Sequence, residues 1–299
     1  MKRLFITLAL LPLLLSSCTG NGERDTIVFG TDIVAAGQME ESRQLASVAT
    51  LTVLGTGNKG RDIHYSYFFP EAGENMPFRL CLPKGWNGKD KLPLVMFLHG
   101  GWNDENSYLD QNEGQLVKLA DEHGFILVSP LGAHAAYGNN LILPAEFGRN
   151  DEAAEVLASI DPERAAAQRL SEKDVINVLE IVMANYPVDR KKMFLCGHSM
   201  GAGGTWYLGA KYPDYWKALA PMSGPFVLEE GYPWRSIKSK PIFVTEGTLA
   251  IASLKSSREL RDHLEKEGFN LTYLEVEADH PNMVPEVLPE VFDFFDQYK

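Results

Sequence analysis

The sequence predicts an α/β fold with a mostly parallel central sheet, helices on both faces and antiparallel strands at its N-terminal end. From residue 92 onward, continuous apolar runs such as LPLVMFL and FILVSP alternate with helix-like stretches, as strands covered on both faces do. Before that point, the runs SVATLTVL, DIHYSYFF and MPFRLCLP are short, β-rich and bounded by Gly, Pro or Asn. These three runs are predicted to be antiparallel edge strands.

The later elements follow in strict alternation. After the first two buried runs, strands are predicted at MFLCG, WKALAPMSG, PIFVTEG and LTYLEVEA. Helices are predicted at residues 109–123 and in SEKDVINVLEIVMANY, GAGGTWYLGAKY, SSRELRDHLEKEG and PEVLPEVFDFFDQY. Ser171 is the expected N-cap of the second helix. Strand–helix–strand succession indicates right-handed crossovers and therefore parallel pairing.

The N-terminus has the pattern of an export signal. Over residues 1–17, two basic residues precede an apolar run that is too short to span a bilayer as a mature helix. The run ends in LSSC, which resembles the lipobox of bacterial lipoproteins. That resemblance implies a lipid anchor on Cys18 and a location in the bacterial cell envelope, at the outer membrane. The alternative is an ordinary signal peptide with an incidental cysteine.

The rest of the chain is predicted to comprise a lead-in and one large domain with two insertions. Residues 18–46 are polar and without sustained period, which suits a tether and a loosely packed lead-in. Residues 47–299 are predicted to form one α/β domain. Two insertions, near 132–170 and 224–238, follow the carboxyl ends of strands, where open α/β sheets form their ligand crevice.

Composition limits the classes of partner. The formal net charge is −12, which argues against nucleic acid because phosphate binding needs clustered cations. A small-molecule or carbohydrate substrate is expected instead. Cys81 and Cys196 lie in apolar stretches and are expected to be reduced and buried. No cluster of side chains has metal-ligand spacing, so neither a metal nor another cofactor is expected.

The candidate nucleophile is Ser199 in Gly-His-Ser-Met-Gly. This G-x-S-x-G pattern is weak alone, but here it follows a buried strand and precedes a helix, as a nucleophile at a sharp strand-to-helix turn requires. The amide of Met200 would then point at the substrate oxygen from the positive end of the helix. His280, after the last predicted strand, could take the serine proton and return it to the leaving group.

The strings PLVMFLHGG, GHSMG and DH resemble the α/β-hydrolase family, within it secreted esterases of the polyhydroxybutyrate-depolymerase and feruloyl-esterase kind. The resemblance covers about residues 80–299 and implies ester hydrolysis through an acyl-enzyme. It also implies that Gly101 supplies the second amide of the oxyanion hole and that His280 is the base. His99 is an alternative base, although the family places its base last in the chain. A peptidase of the same fold and a non-catalytic ligand-binding lipoprotein are the alternative functions.

Members of the family use a triad of serine, histidine and an acid, and this sequence differs from the family pattern at the position of the acid. Members usually carry an aspartate three residues beyond a glycine after the penultimate strand, but that position, counted from Gly247, is Ala250. Glu246, at the end of the same strand, is the first candidate for the acid. The loop carboxylates Glu229 and Glu230 are the second. A Ser/His dyad or loss of catalysis is the third possibility.

Two tryptophans are candidate substrate-binding residues. Trp102 follows the predicted oxyanion loop, and Trp234 lies in the second insertion. Either ring could stack on a sugar or phenolic group, whereas the alternative role of each is packing.

Overall fold

The structure, a computed structural model, describes residues 32–132, 137, 162–224 and 232–299. The strands in these ranges are β1 (Thr52–Gly57), β2 (Asp62–Phe69), β3 (Glu74–Cys81), β4 (Leu92–Leu98), β5 (Ile126–Pro130), β6 (Val188–His198), β7 (Ala218–Met222), β8 (Ile242–Gly247) and β9 (Leu271–Val276). The α-helices are α1 (Asp32–Val48), α2 (Ser107–His123), α3 (Pro162–Asn185), α4 (Met200–Lys211), α5 (Trp234–Ile237), α6 (Ile251–Lys266) and α7 (Met283–Asp296).

The strands form one sheet in the order β1-β2-β3-β5-β4-β6-β7-β8-β9. The first three pair antiparallel, and β3 also pairs antiparallel with β5. From β5 through β9 every pairing is parallel. The predicted fold class and its antiparallel N-terminal strands are therefore confirmed.

The sheet is covered on both faces, as its continuous apolar strands require. Along β4, alternate side chains enter two different cores because successive residues of a strand point to opposite faces. Leu94, Met96 and Leu98 join the core under α3, α4 and α6, while Val95 and Phe97 join the core under α2 and α7. All five are fully buried, and each contributes about 1.5–3 kcal/mol by leaving water.

Helix α1 differs from the sequence prediction of a loosely packed lead-in. It packs on the body of the domain through polar contacts and through a few apolar side chains, among them buried Ala46 and partly buried Leu45. Arg43 Nε lies 3.0 Å from a carboxylate oxygen of Glu180 in α3, and the Tyr212 hydroxyl donates to Gln38 at 2.6 Å. These contacts with the body thus hold a helix whose own sequence shows little amphipathic signal.

Helix α3 begins at Pro162, inside the segment predicted to be an insertion, so the prediction of Ser171 as its N-cap is wrong. Ser171 is buried within the helix, and its hydroxyl donates to the carbonyl oxygen of Gly132 and accepts from the amide of Tyr137. The serine therefore secures the chain that leaves β5 instead of starting a helix.

Both cysteines in the described ranges are buried free thiols, as predicted. Residues 1–17 and Cys18 lie outside those ranges. Across the described residues, no helix combines the length and apolar character that a bilayer crossing needs.

Candidate active site

Ser199 occupies the bend between β6 and α4. Its backbone has φ 57° and ψ −116°, a region that residues with a side chain rarely adopt. The Ser199 amide donates to the carbonyl oxygen of Met222 at 3.0 Å, which ties the bend to the neighbouring strand β7. A strained strand-to-helix turn of this kind presents a serine hydroxyl at the carboxyl end of the sheet.

The two glycines of the motif are required by the closeness of the backbone at this bend. A Cβ on Gly201 would lie 2.6 Å from the carbonyl carbon of Leu98 in β4 and nearer still to its oxygen. A Cβ on Gly197 would lie 2.5 Å from the Gly201 carbonyl oxygen. Both obstacles are backbone atoms of packed elements, so neither position has room for a side chain.

Replacing Gly201 with alanine is expected to lower the free energy of unfolding by about 3 kcal/mol, because the new methyl group overlaps the Leu98 carbonyl. Urea unfolding measures the loss. Gly55→Ala is the matched control, since a Cβ there meets no atom within 4 Å. Equal unfolding midpoints for the two variants would show that the bend is looser than described.

The two predicted oxyanion donors lie on elements that meet at the bend. Met200 is the first residue of α4, where amides lack an intrahelical acceptor and the helix dipole is positive. Gly101 lies in the loop after β4. That loop lies against the bend, since a Cβ on Gly100 would be 3.5 Å from the Cβ of Ser199. The loop that carries Gly101 and the first turn of α4 therefore both lie beside Ser199.

His99 is engaged elsewhere and does not fit the alternative role of base. Its ring is 1% exposed, with Nε2 2.8 Å from the carbonyl oxygen of Leu131 and Nδ1 2.8 Å from that of Gly100. The buried hydroxyl of Tyr137 donates to the His99 carbonyl oxygen at 3.0 Å. These bonds hold the oxyanion loop against the chain that follows β5.

His280 lies between β9 and α7, beside the residue that precedes Ser199. Its ring centroid is 4.5 Å from that of His198, and its Nδ1 is 2.7 Å from the hydroxyl oxygen of Ser223. Burial lowers the pKa of the His280 imidazole below its ordinary value, and the charge of Asp279 opposes this in part. The ring is therefore neutral near pH 7, the form that a general base needs.

Glu246 is completely buried near the end of β8. Its Oε1 accepts a hydrogen bond from the Ser223 hydroxyl at 2.7 Å and another from the Gly247 amide at 3.0 Å. Burial raises the pKa of the carboxyl group, while these hydrogen bonds lower it in part. The predicted acid thus lies beside His280 with the Ser223 oxygen between them, rather than in direct contact.

The other positions considered for the acid are Ala250, Glu229 and Glu230. Ala250, where the family pattern expects an aspartate, is buried and directly precedes α6, with its amide donating to the Gly247 carbonyl oxygen at 3.0 Å. Glu229 and Glu230 lie outside the described residues. Glu246 is the predicted carboxylate that lies in the described residues, and Ser223 connects it to His280.

A second chain of hydrogen bonds holds the backbone of His280. The Tyr108 hydroxyl lies 2.6 Å from Nδ1 of His198, and Nε2 of His198 lies 2.9 Å from the His280 carbonyl oxygen. Burial, together with the charge of His280, lowers the pKa of His198 to about 3. The ring is therefore neutral, so Tyr108 donates to Nδ1 and Nε2–H donates to the carbonyl.

The two predicted substrate-binding tryptophans have different surroundings. Trp102 is fully exposed next to Gly101 and has φ 65°. Trp234 packs among aromatic rings, with centroids 4.4 Å from Tyr232 and 4.9 Å from His263. These are the contacts of a packing residue, whereas the Trp102 ring is open to solvent.

Sequence reasoning missed three residues of this site: Ser223, Tyr108 and His198. His198 is the variable residue before the serine in the motif, and its ring contact with His280 depends on tertiary structure. Ser223 had one available signal, because it directly follows the buried strand that ends at Met222. Side chains at that end of a parallel sheet face the ligand crevice.

The parallel sheet, the strained serine bend and the neighbouring histidine loop define a protein of the α/β-hydrolase fold. Residues 70–263 match the family model Esterase, described as "Putative esterase". The chain belongs to this family.

Known proteins with the same fold include several hydrolases. A curated relative, the bifunctional acetylxylan esterase/xylanase XynS20E of Neocallimastix patriciarum, is 25% identical over 181 residues, which are 60% of this chain and 21% of the relative. The chain thus spans about a fifth of that relative's length. S-formylglutathione hydrolase from Staphylococcus aureus superimposes with a TM-score of 0.59 at 18% identity, covering 79% of this chain and 96% of the other. A ferulic acid esterase from Anaeromyces mucronatus gives 0.55 at 18% identity, covering 84% and 90%.

Proposed function

We propose that this protein is a serine hydrolase that cleaves carboxylic esters through an acyl-enzyme. The observation that carries the proposal is the connection of His280 to the buried carboxylate of Glu246 beside the strained bend at Ser199. A histidine oriented by a buried acid and lying near a half-buried serine is the arrangement that activates a hydroxyl nucleophile.

The reaction follows from the roles of the groups at the bend. Ser199 Oγ attacks the ester carbonyl carbon while its proton passes to Nε2 of His280. The amides of Met200 and Gly101 stabilise the oxyanion of the tetrahedral intermediate. The C–O bond to the alcohol then breaks, and His280 returns the proton to the departing oxygen. A water molecule, deprotonated by the same imidazole, releases the acid and restores the serine.

The alternative of a non-catalytic binding protein rests on the missing aspartate at Ala250. The hydrogen bonds that join His280 to Glu246 weaken it, since a binding protein has no need of a buried carboxylate behind its histidine. A peptidase would use the same groups, and only turnover on amide substrates separates it from an esterase.

The proposed substrates are acyl or feruloyl esters of carbohydrates, or small esters. Support comes from the names of the acetylxylan esterase and ferulic acid esterase relatives and from Trp102, an exposed ring beside the oxyanion loop that could stack on a sugar or aryl group.

A panel of acetyl, butyryl and feruloyl esters, with a peptide amide beside them, tests the proposal. We expect turnover of at least one ester, with no more than trace hydrolysis of the amide. Faster hydrolysis of the amide would favour the peptidase. A purified, folded protein that binds these compounds and hydrolyses none would favour the binding protein.

We also propose that the protein is exported and anchored in the cell envelope by lipid on Cys18. The basic pair, short apolar run and LSSC string at the N-terminus support this. Metabolic labelling with a radioactive fatty acid should mark the native protein and should fail for Cys18→Ala. Equal labelling of both would rule out this attachment point.

In the pH profile of kcat/KM, the pKa of the acid limb is expected to lie below 6.5, the ordinary pKa of histidine. Neutral His280 is the active base, so the rate falls as pH drops through its pKa, and burial has lowered that pKa. Asp279→Asn removes the charge that raises it, which should move the limb to still lower pH. Glu277→Gln, a nearby exposed charge, should leave it in place. An acid limb with a pKa above 6.5, or one that Asp279→Asn does not move, would contradict this assignment.

A further inference from the structure

Ser223 stands between an imidazole and a buried carboxylate. Its Oγ is 2.7 Å from Nδ1 of His280 and 2.7 Å from Oε1 of Glu246, and the residue is completely buried. No direct hydrogen bond joins the histidine to the glutamate in the described part of the chain. The hydrogen-bonded path from the carboxylate to the ring therefore passes through this hydroxyl.

The directions of the two hydrogen bonds follow from the chemistry of the groups. The single proton of the Ser223 hydroxyl is donated to Oε1 of Glu246, which in its carboxylate form only accepts. The Ser223 oxygen must then accept from His280, which places the ring proton on Nδ1. Neutral His280 is thereby held with an unprotonated Nε2, the nitrogen that can take the proton of Ser199.

The backbone of Ser223 is shaped to hold the hydroxyl at this point. The residue directly follows β7 and has φ 50°, a left-handed conformation that is uncommon for serine. Its amide donates to the Thr245 carbonyl oxygen at 2.8 Å, which fixes it to the strand that carries Glu246. A strained, buried serine that bridges two functional groups indicates a role in the site rather than in a turn.

We propose that Ser223 is a positioning residue that transmits the effect of Glu246 to His280, so that the site is a relay of four groups: Ser199, His280, Ser223 and Glu246. The proposal rests on the proposed function and explains how the site works without an acid at Ala250. The hydroxyl lengthens the reach of a glutamate on β8 to a histidine that it does not itself contact.

The test compares Glu246→Gln in two backgrounds, native and Ser223→Gly. Glycine tolerates the left-handed backbone at this position while removing the hydroxyl. We expect Ser223→Gly and Glu246→Gln each to lower kcat on a nitrophenyl ester by about 10²-fold, with little change in KM. In the Ser223→Gly background, Glu246→Gln should then cost less than about twofold, because the route of its effect is already lost.

A rescue variant distinguishes loss of the hydrogen-bonded path from a general disruption of the fold. In Ser223→Asp combined with Glu246→Gln, a carboxylate at position 223 can accept directly from Nδ1 of His280, and aspartate is among the residues that tolerate positive φ. It should recover at least about tenfold in kcat over Ser223→Gly. Ser256→Ala, a serine on α6 whose hydroxyl donates to the Ser253 carbonyl oxygen, is the control and should match the native kcat.

The ring nitrogen of His280 that carries the proton can be determined without measuring activity. Long-range ¹⁵N–¹H NMR correlation should show His280 protonated at Nδ1 in the native protein and as a mixture of tautomers in Ser223→Gly. An unchanged tautomer, or an equal effect of Glu246→Gln with and without the Ser223 hydroxyl, would overturn the proposal. If the native protein hydrolyses no ester, the proposed function fails, while the tautomer experiment still decides the role of Ser223.

Discussion

Alanine at Ser199 is expected to lower ester turnover by a factor on the order of 10⁴ or more, to the level of residual binding and oxyanion stabilisation. The hydroxyl is the only group at the bend proposed to bond covalently to the acyl group, so its loss removes the two-step route altogether. Substrate binding should persist, because the oxyanion loop and Trp102 are untouched.

The measurement is kcat on a nitrophenyl ester for the native protein, Ser199→Ala and Ser256→Ala. The last replaces a serine on α6 and should behave as the native protein does. Urea unfolding should show that Ser199→Ala is folded. A folded Ser199→Ala that retains more than a tenth of the native turnover would remove Ser199 from the role of nucleophile.

Replacing His280 with glutamine should have the next largest effect, a loss in kcat on the order of 10⁴-fold. Without the imidazole, the Ser199 hydroxyl keeps its proton at neutral pH and the leaving alcohol receives none. Because serine and histidine act as a unit, the double variant with Ser199→Ala should be no slower than the single Ser199→Ala variant.

The matched control for this prediction is His64→Gln, which replaces a half-buried histidine on β2 that pairs with Asp62 rather than with the site. It should leave kcat unchanged. If kcat of the double variant of Ser199 and His280 falls by the product of the two single-variant factors, the two residues act separately. A folded His280→Gln protein with native turnover would mean that another group is the base.

The fold was largely predictable because its signals are local. Continuous apolar runs such as β4 identify strands covered on both faces, and their alternation with helical periods leaves few topologies. Helix α1 was not predictable in this way, since its stability comes from contacts with the body such as Arg43–Glu180 and not from its own pattern.

In the candidate site, too, residues with a local sequence signal were predictable and residues placed by tertiary contacts were not. The Ser199 bend has a local signature, because two glycines must flank it where the backbone of β4 approaches. Ser223 has no such signature. Its role depends on pairing between β7 and β8, which brings it beside Glu246, and on a positive φ that the neighbouring sequence does not specify. The Tyr108–His198 hydrogen bond likewise joins residues 90 positions apart.

Covalent labelling with a fluorophosphonate, followed by mass mapping of the modified peptide, tests the central claim most directly. We expect one adduct, on Ser199, formed rapidly in the native protein and much more slowly in His280→Gln. An adduct on another residue, or a protein that hydrolyses esters yet takes no label at Ser199, would contradict it.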